Sequence, residues 1–239
     1  MNKELFIEEV KKLGIELTQE QINQLDIYCK FLIDYNKHTN LTSITEEEQI
    51  YLKHFYDSIT FCKSIDLNKY NSLIDIGTGA GFPGMVLKIL YPELNVVLLD
   101  SNNKKISFLQ ELKDKLNIDK IDFYHGRAED YCKKYRETFD IVTARAVSNL
   151  SVLSELCIPL TKINGYFIPM KGSNTEEIIE AEYAIEQLGG KIEEIINFNL
   201  PIEKSGRNII KIKKVKETPK EYPRRYDKIT KTPLKKNGK

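Results

Sequence analysis

Residues 73–84 read LIDIGTGAGFPG, in which strand-forming residues pass straight into Gly77, Gly79, Gly81 and Gly84. Glycine at this density lets a strand turn sharply into a helix while its backbone approaches a ligand, and the helix beyond offers unpaired N–H groups. The stretch therefore demands a strand–loop–helix unit, and the rest of the chain repeats the alternation. From Ser72 onward the short apolar runs SLIDI, NVVLLD, KIDFYH, FDIVTA and GYFIPM are separated by helix-length segments near 81–91, 102–116, 148–157 and 174–188. Such alternation predicts a parallel sheet with helices on both faces. After QLGG, the runs KIEEIINFNL and RNIIKIKKV read as two further strands joined by PIEKSG. That connection is too short for a parallel crossover, so the pair is expected to be antiparallel. The expected fold is α/β and Rossmann-like, with seven strands, mostly parallel, and an antiparallel C-terminal strand.

Upstream of the sheet the pattern is helical. Leu5, Phe6, Val10 and Leu13, then Ile22, Leu25, Tyr28, Phe31, Leu32 and Tyr35, recur at helical spacing. Thr18 and Thr45 stand where N-caps belong, and Thr45 with Glu48 has capping-box spacing. The chain thus divides into an N-terminal helical cap (1–70), a ligand-binding α/β domain (71–215) and a basic C-terminal tail (216–239) expected to be flexible. Residues 211–239 hold 12 Lys/Arg against three Asp/Glu, although the whole chain has a formal net charge of only +1. The tail suits a polyanion such as RNA, or is simply a solvated end. No apolar run approaches the roughly 20 residues of a membrane span, and the N-terminus MNKELFIEEVKKLG is charged rather than signal-like. A cytoplasmic location is expected. Cys29, Cys62, Cys132 and Cys157 lie far apart with no C-x-x-C pair, so neither a metal site nor a disulfide framework is expected.

The ligand of the glycine loop has two readings. Gly79-x-Gly81-x-x-Gly84 satisfies a dinucleotide pattern, which would make the chain an oxidoreductase. Asp75 argues otherwise, because a carboxylate two residues before Gly77 would repel a pyrophosphate but could pair with a cationic group. The fuller run D-x-G-x-G-x-G from Asp75 resembles the first motif of S-adenosylmethionine-dependent methyltransferases, whose cofactor carries a sulfonium and an ammonium and no phosphate. Asp100 ends the next strand 19 residues past Gly81, the spacing at which an acid accepts hydrogen bonds from ribose hydroxyls. GRAED (126–130), after the third strand, supplies Ala128 and Glu129 where the adenine end would lie.

The methyl acceptor is narrowed by absences. No Pro-Cys dipeptide supplies the nucleophile for C5-pyrimidine methylation, and no N-P-P-Y-like motif serves an exocyclic amine. The fourth strand runs instead into ARAVSNL, where Arg145 could bind a phosphate or the O6/N7 edge of guanine, or form an ion pair supporting the loop. Lys171, in PMKG after the fifth strand, could hold the same groups or be a surface lysine. His54 and Asp57, three apart on a helix, read as a local pair or packing contact rather than as catalytic groups.

Taken in order, LIDIGTGAGFPGMVLKILYPE, LLDSNNKKISFLQEL, GRAED, ARAVSNL and MKG resemble the RsmG/GidB family, bacterial methyltransferases of guanine N7 in 16S ribosomal RNA. The resemblance extends to YNKHTNLTSI, KHFYDSI and YPRRYDK, and so covers essentially the whole chain. It implies cofactor contacts at Gly77, Gly79, Phe82, Ala128, Glu129 and Arg145, with Asp100 and Ser101 at the ribose. Arg145 and Lys171 are the candidate catalytic residues. The implied partner is 16S RNA, free or within the small subunit or its assembly intermediate, with the enzyme acting as a monomer and away from membranes. A non-catalytic, ribosome-associated RNA-binding module is the alternative from another functional class. The ending YPRRYDKITKTPL departs from the family's usual basic, glycine-containing C-terminus. Guanine N7 carries an in-plane lone pair and no proton, so its methylation requires alignment rather than a general base.

Overall fold

The computed structural model describes residues 1–145 and 148–236; Ala146 and Val147 of ARAVSNL and the last three tail residues lie outside the described residues. The strands are β1 (Ser72–Ile76), β2 (Asn95–Asp100), β3 (Ile121–His125), β4 (Phe139–Arg145), β5 (Thr161–Gly172), β6 (Gly190–Asn199) and β7 (Gly206–Lys214). They form one sheet of order β3-β2-β1-β4-β5-β7-β6. Neighbours from β3 to β5 pair in parallel, whereas β7 runs antiparallel to both β5 and β6. The PIEKSG connection makes the expected hairpin, and β7 is thereby inserted between its partner and β5.

Successive strand residues serve opposite faces, as the pleat requires. Leu73, Leu98, Ile141, Ile168 and Ile209 enter one buried core, while Ile74, Leu99, Val142, Phe167 and Ile210 enter the other. Burial on both faces is why these strands read as continuous apolar runs. The helices are α1 (Lys3–Lys12), α2 (Gln19–Thr39), α3 (Glu47–Ile50), α4 (Asp57–Ile59), α5 (Gly84–Leu90), α6 (Asn103–Leu116), α7 (Ala128–Tyr135), α8 (Leu150–Cys157), α9 (Glu176–Gln187) and α10 (Tyr226–Lys231). None among the described residues is long and apolar enough to cross a membrane.

The first face carries α2, α5 and α6. Thr18 and Gln21 cap α2 reciprocally, and from its first turns Gln21 donates to the carbonyls of Ile89 and Leu90, while Gln24 donates to that of Leu116. Two glutamines thus satisfy orphan carbonyls at the C-terminal ends of α5 and α6. Thr45 does not cap: Glu46 precedes the helical turn and no side chain bonds its free N–H groups. Between α3 and α4 the chain widens into a π-helical turn, Tyr51–Tyr56, a conformation often found beside functional sites.

The second face carries α7, α8, α9 and the tail. The sequence signal for α7 is slight, because only Ala128, Tyr131 and Cys132 define its buried side over eight residues. The tail is not the flexible end expected from its composition. Arg136 donates to the carbonyls of Thr218 (2.6 Å), Pro219 (3.0 Å) and Tyr222 (2.6 Å), and the buried Lys214 ammonium joins Ile158, Thr218 and Glu137. Arg224 grips the fully buried Glu155, and Ile229 of α10 is itself fully buried. Residues 216–236 form a strap over α7 and α8, held by partners remote in sequence.

Candidate active site

The C-terminal ends of all five parallel strands converge on one cavity of about 670 Å³, within the range of small-molecule sites. It lies where strand order reverses between β1 and β4, the usual ligand crevice of an open α/β sheet. Gly77, Gly79, Phe82, Asp100, Ser101, Ala128, Glu129, Arg145 and Lys171 all line it. These nine candidate residues from the sequence therefore face one cavity.

The glycine loop is fixed by its own backbone. The N–H groups of Gly77 and Thr78 donate to the Leu99 carbonyl at 2.8 and 3.0 Å, tying the loop to β2. Gly77, Gly79 and Gly81 have φ of +67°, +62° and +102°, a region costly for residues bearing a Cβ. At Gly81 space is also absent, since a Cβ would lie 2.6 Å from the Tyr28 hydroxyl. Tyr28 reaches in from α2, donates its hydroxyl to the Ala80 carbonyl and stacks on Phe82 with ring centroids 5.4 Å apart. Asp75 does not line the cavity, and its Oδ1 has no hydrogen-bond partner among the described residues. Its Oδ2 accepts from the Thr78 hydroxyl (2.7 Å) and the Gly84 N–H (2.8 Å), the residue is fully buried, and burial pushes its pKa up to about 6. It is an internal brace of the loop.

Acceptors line the next stretch of wall. Asp100 accepts from the Gly79 N–H at Oδ2 (2.9 Å) and the Asn102 N–H at Oδ1 (2.8 Å). Each carboxylate oxygen retains a further lone pair for a ligand hydroxyl. Ala128 and Glu129 sit in the first turn of α7. Glu129 Oε2 is buried and has no hydrogen-bond partner among the described residues. A ligand bearing hydroxyl or amine donors would satisfy it, so the donor–acceptor chemistry here fits an adenosine.

The opposite end is basic and aromatic. Arg145, the last residue of β4, donates to the Lys53 carbonyl (2.8 Å), Asp57 Oδ2 (3.1 Å) and His54 Nδ1 (3.1 Å). Its guanidinium also lies 5.2 Å from the Phe82 ring centroid, and His54 stacks on that ring at 4.3 Å. Asp57 additionally receives Arg207 Nε at 3.1 Å. The local pairing expected for His54 and Asp57 is thus replaced by a shared role: both hold Arg145 at the cavity wall. A guanidinium can only donate, so His54 Nδ1 accepts, and its Nε2–H points at the Thr42 hydroxyl 3.0 Å away. Burial, reinforced by the Arg145 charge, lowers the His54 pKa to about 3. The imidazole is neutral and both its nitrogens are committed. Lys171 is no free surface lysine: Nζ donates to the Ser148 carbonyl (2.5 Å) and pairs with Glu177 (2.8 Å).

Several wall residues are not among the candidates named from the sequence. Arg207 is the second residue of β7, inside an ordinary strand pattern, Lys53 lies in the π-helical turn, and Tyr226 belongs to the strap. Altogether the wall has six lysines and arginines against three carboxylates, with the excess cations at the end bearing Lys53, Arg145, Lys171 and Arg207. Among the described residues no cluster of His, Cys, Asp and Glu could hold a metal ion.

Comparison with known proteins gives four concordant findings. A family model described as GidB, rRNA small subunit methyltransferase G, matches residues 21–210. Ribosomal RNA small subunit methyltransferase G of Lachnoclostridium phytofermentans is 51% identical over 232 residues, 96% of each chain. That of Bacillus subtilis is 48% identical over 237 residues, 98% of this chain and 99% of its own. In three dimensions, precorrin-6y C5,15-methyltransferase from Geobacter metallireducens superposes with a TM-score of 0.51 at 17% identity, covering 72% of this chain and 91% of that one. That likeness extends the Rossmann-like methyltransferase fold to the sheet described above.

Proposed function

Because the chain belongs to the family of rRNA small subunit methyltransferase G, we propose that it transfers a methyl group from S-adenosylmethionine to N7 of a guanine in 16S ribosomal RNA. The observation that carries this reading is one cavity with two chemical ends: acceptors at Asp100 and Glu129, and cations at Lys53, Arg145, Lys171 and Arg207. The first end suits an adenosine; the second suits a nucleotide phosphate or the acceptor edge of guanine. S-Adenosylmethionine supplies an electrophilic methyl on a sulfonium when bound. Gly77 and Gly79 let the backbone approach it, Asp100 and Ser101 face its ribose, Ala128 and Glu129 its base, and Phe82 forms the wall toward the acceptor.

The residues near Phe82 fit an acceptor that has no proton to lose. His54 is neutral but cannot serve as a base, since the lone pair of Nδ1 accepts from Arg145 and Nε2 carries the hydrogen. Three of the five guanidinium donors of Arg145 are used in the bonds above, leaving two for a phosphate or guanine edge. Lys171, steadied by Glu177, adds a second cation. These side chains orient the acceptor in line with the methyl group, and alignment supplies the acceleration. The helical cap (1–70) contributes Tyr28, Lys53, His54 and Asp57, the α/β domain (71–215) holds the cofactor, and the basic tail (216–239) meets the RNA backbone. The enzyme acts in the cytoplasm, as a monomer, on the small subunit or a precursor of it.

The test is methyl transfer from radiolabelled S-adenosylmethionine to small ribosomal subunits prepared from cells lacking the enzyme, followed by nucleoside analysis. Label is expected as 7-methylguanosine in 16S RNA. Label on another nucleoside would overturn the acceptor, and cofactor binding without any transfer would favour a non-catalytic RNA-binding module.

A further inference from the structure

We propose that the C-terminal strap completes the adenine end of the cofactor pocket, with Tyr226 as a binding residue for the adenosine half of the ligand. The inference rests on the cofactor assignment above and adds a wall that the glycine loop and the strand ends do not supply. Tyr226 opens α10 and lines the same cavity as Asp100, Gly126, Ala128 and Glu129. Its ring lies 4.7 Å from the guanidinium carbon of Arg127, the residue between Gly126 and Ala128. The strap and the β3–α7 connection therefore meet at this point.

The position of Tyr226 is pinned from both sides. Two residues earlier, Arg224 donates to Glu155 through its backbone N–H (2.9 Å), Nε (2.8 Å) and a terminal nitrogen (2.5 Å), and Glu155 has no exposed surface. Three residues later, Ile229 is equally buried in the second core. A half-buried aromatic ring held this firmly costs little additional ordering on binding. Glu129, whose buried Oε2 has no partner among the described residues, lines the same cavity. An aromatic ring and an unsatisfied acceptor lining one cavity are complementary to a nucleoside, which offers a π-face and hydrogen-bond donors together.

The test is calorimetric titration of the full-length protein with S-adenosylhomocysteine and separately with adenosine. Tyr226→Ala is expected to bind both about ten-fold more weakly, the scale of one base–aromatic contact, whereas Tyr226→Phe stays within about two-fold of the parent. Parallel loss for both ligands assigns the contact to the adenosine half. Thermal melting without ligand separates binding from folding. Tyr226→Leu keeps an apolar side chain on the strap and carries the same expectation should the alanine variant not fold. Unchanged affinity in the folded variants would overturn the role of Tyr226 while leaving the cofactor assignment intact. Failure of the parent protein to bind S-adenosylhomocysteine would instead overturn the cofactor assignment and this inference with it.

Discussion

His54 and Asp75 are buried titratable groups pushed in opposite directions, and their effects on stability oppose each other over one pH window. His54 has a folded pKa of about 3, below the ~6.5 of an unfolded chain, because burial and the adjoining Arg145 disfavour the imidazolium. As pH falls from about 6.5 toward 3 the unfolded state takes up the proton first, and stability is lost. Asp75 has a folded pKa of about 6, above the ~3.9 of an unfolded chain, because burial outweighs the Thr78 and Gly84 hydrogen bonds. As pH falls from about 6 toward 4 the folded state takes up that proton first, and stability is gained. Between pH 4 and 6 the two slopes partly cancel, each being at most about 1.4 kcal/mol per pH unit. Relative to the parent, Asp75→Asn should therefore lose stability more steeply as pH falls from 6 to 4, and His54→Gln less steeply. Urea unfolding at pH 4, 5, 6 and 7 reads both differences, and groups common to the three proteins drop out. Curves parallel to the parent would mean that neither group is held as described.

At the scale of one element, the loop from β1 into α5 separates two roles of glycine. Gly81→Ala forces a Cβ to within 2.6 Å of the Tyr28 hydroxyl, 2.8 Å of Met85 Cβ and 2.9 Å of Leu109 Cδ2, at a φ of +102°. Gly79→Ala meets nothing within 4 Å and pays only the left-handed backbone, about 1–2 kcal/mol. Gly81→Ala should unfold the cap-facing core or lower the melting temperature sharply. Gly79→Ala should fold with a modest loss yet bind S-adenosylhomocysteine more weakly, because its methyl group enters the cavity. Equal melting temperatures for the two variants would refute the packing of α2 on this loop. The loop was legible because its glycines answer to local backbone geometry, and β1 and β2 coincide with SLIDI and NVVLLD because burial on both faces leaves an unbroken apolar run. The aromatic and basic end was less legible. The Arg145–Asp57–Arg207 cluster joins residues 88 and 150 positions apart, and the π-helical turn that presents Lys53 and His54 has no sequence pattern distinct from an α-helix.

Across the whole molecule, the same distance problem concealed the strap, although one residue announced it. Glu155 is a lone carboxylate in the apolar helix LSVLSELC, and a buried carboxylate demands a partner. Arg224 supplies it from 69 residues away, turning a segment of tail-like composition into part of the fold. Arg224→Ala leaves that carboxylate buried without its countercharge, a change expected to cost about 3–5 kcal/mol. Arg224→Met combined with Glu155→Gln removes both charges while keeping much of their volume, and should recover a large part of that loss. Urea unfolding of the two single variants, the double variant and the parent measures the coupling. Near-additive losses would mean that the strap is held chiefly by Arg136, Lys214 and Ile229, and that the ion pair is incidental. Strong coupling would make the pair the fastening between the basic C-terminus and α8. Because Tyr226 lies two residues beyond Arg224, the folded Arg224→Ala protein should then also bind S-adenosylhomocysteine more weakly, and RNA contacts to the exposed Arg225, Lys228 and Lys231 would act on a segment that reaches the cofactor pocket.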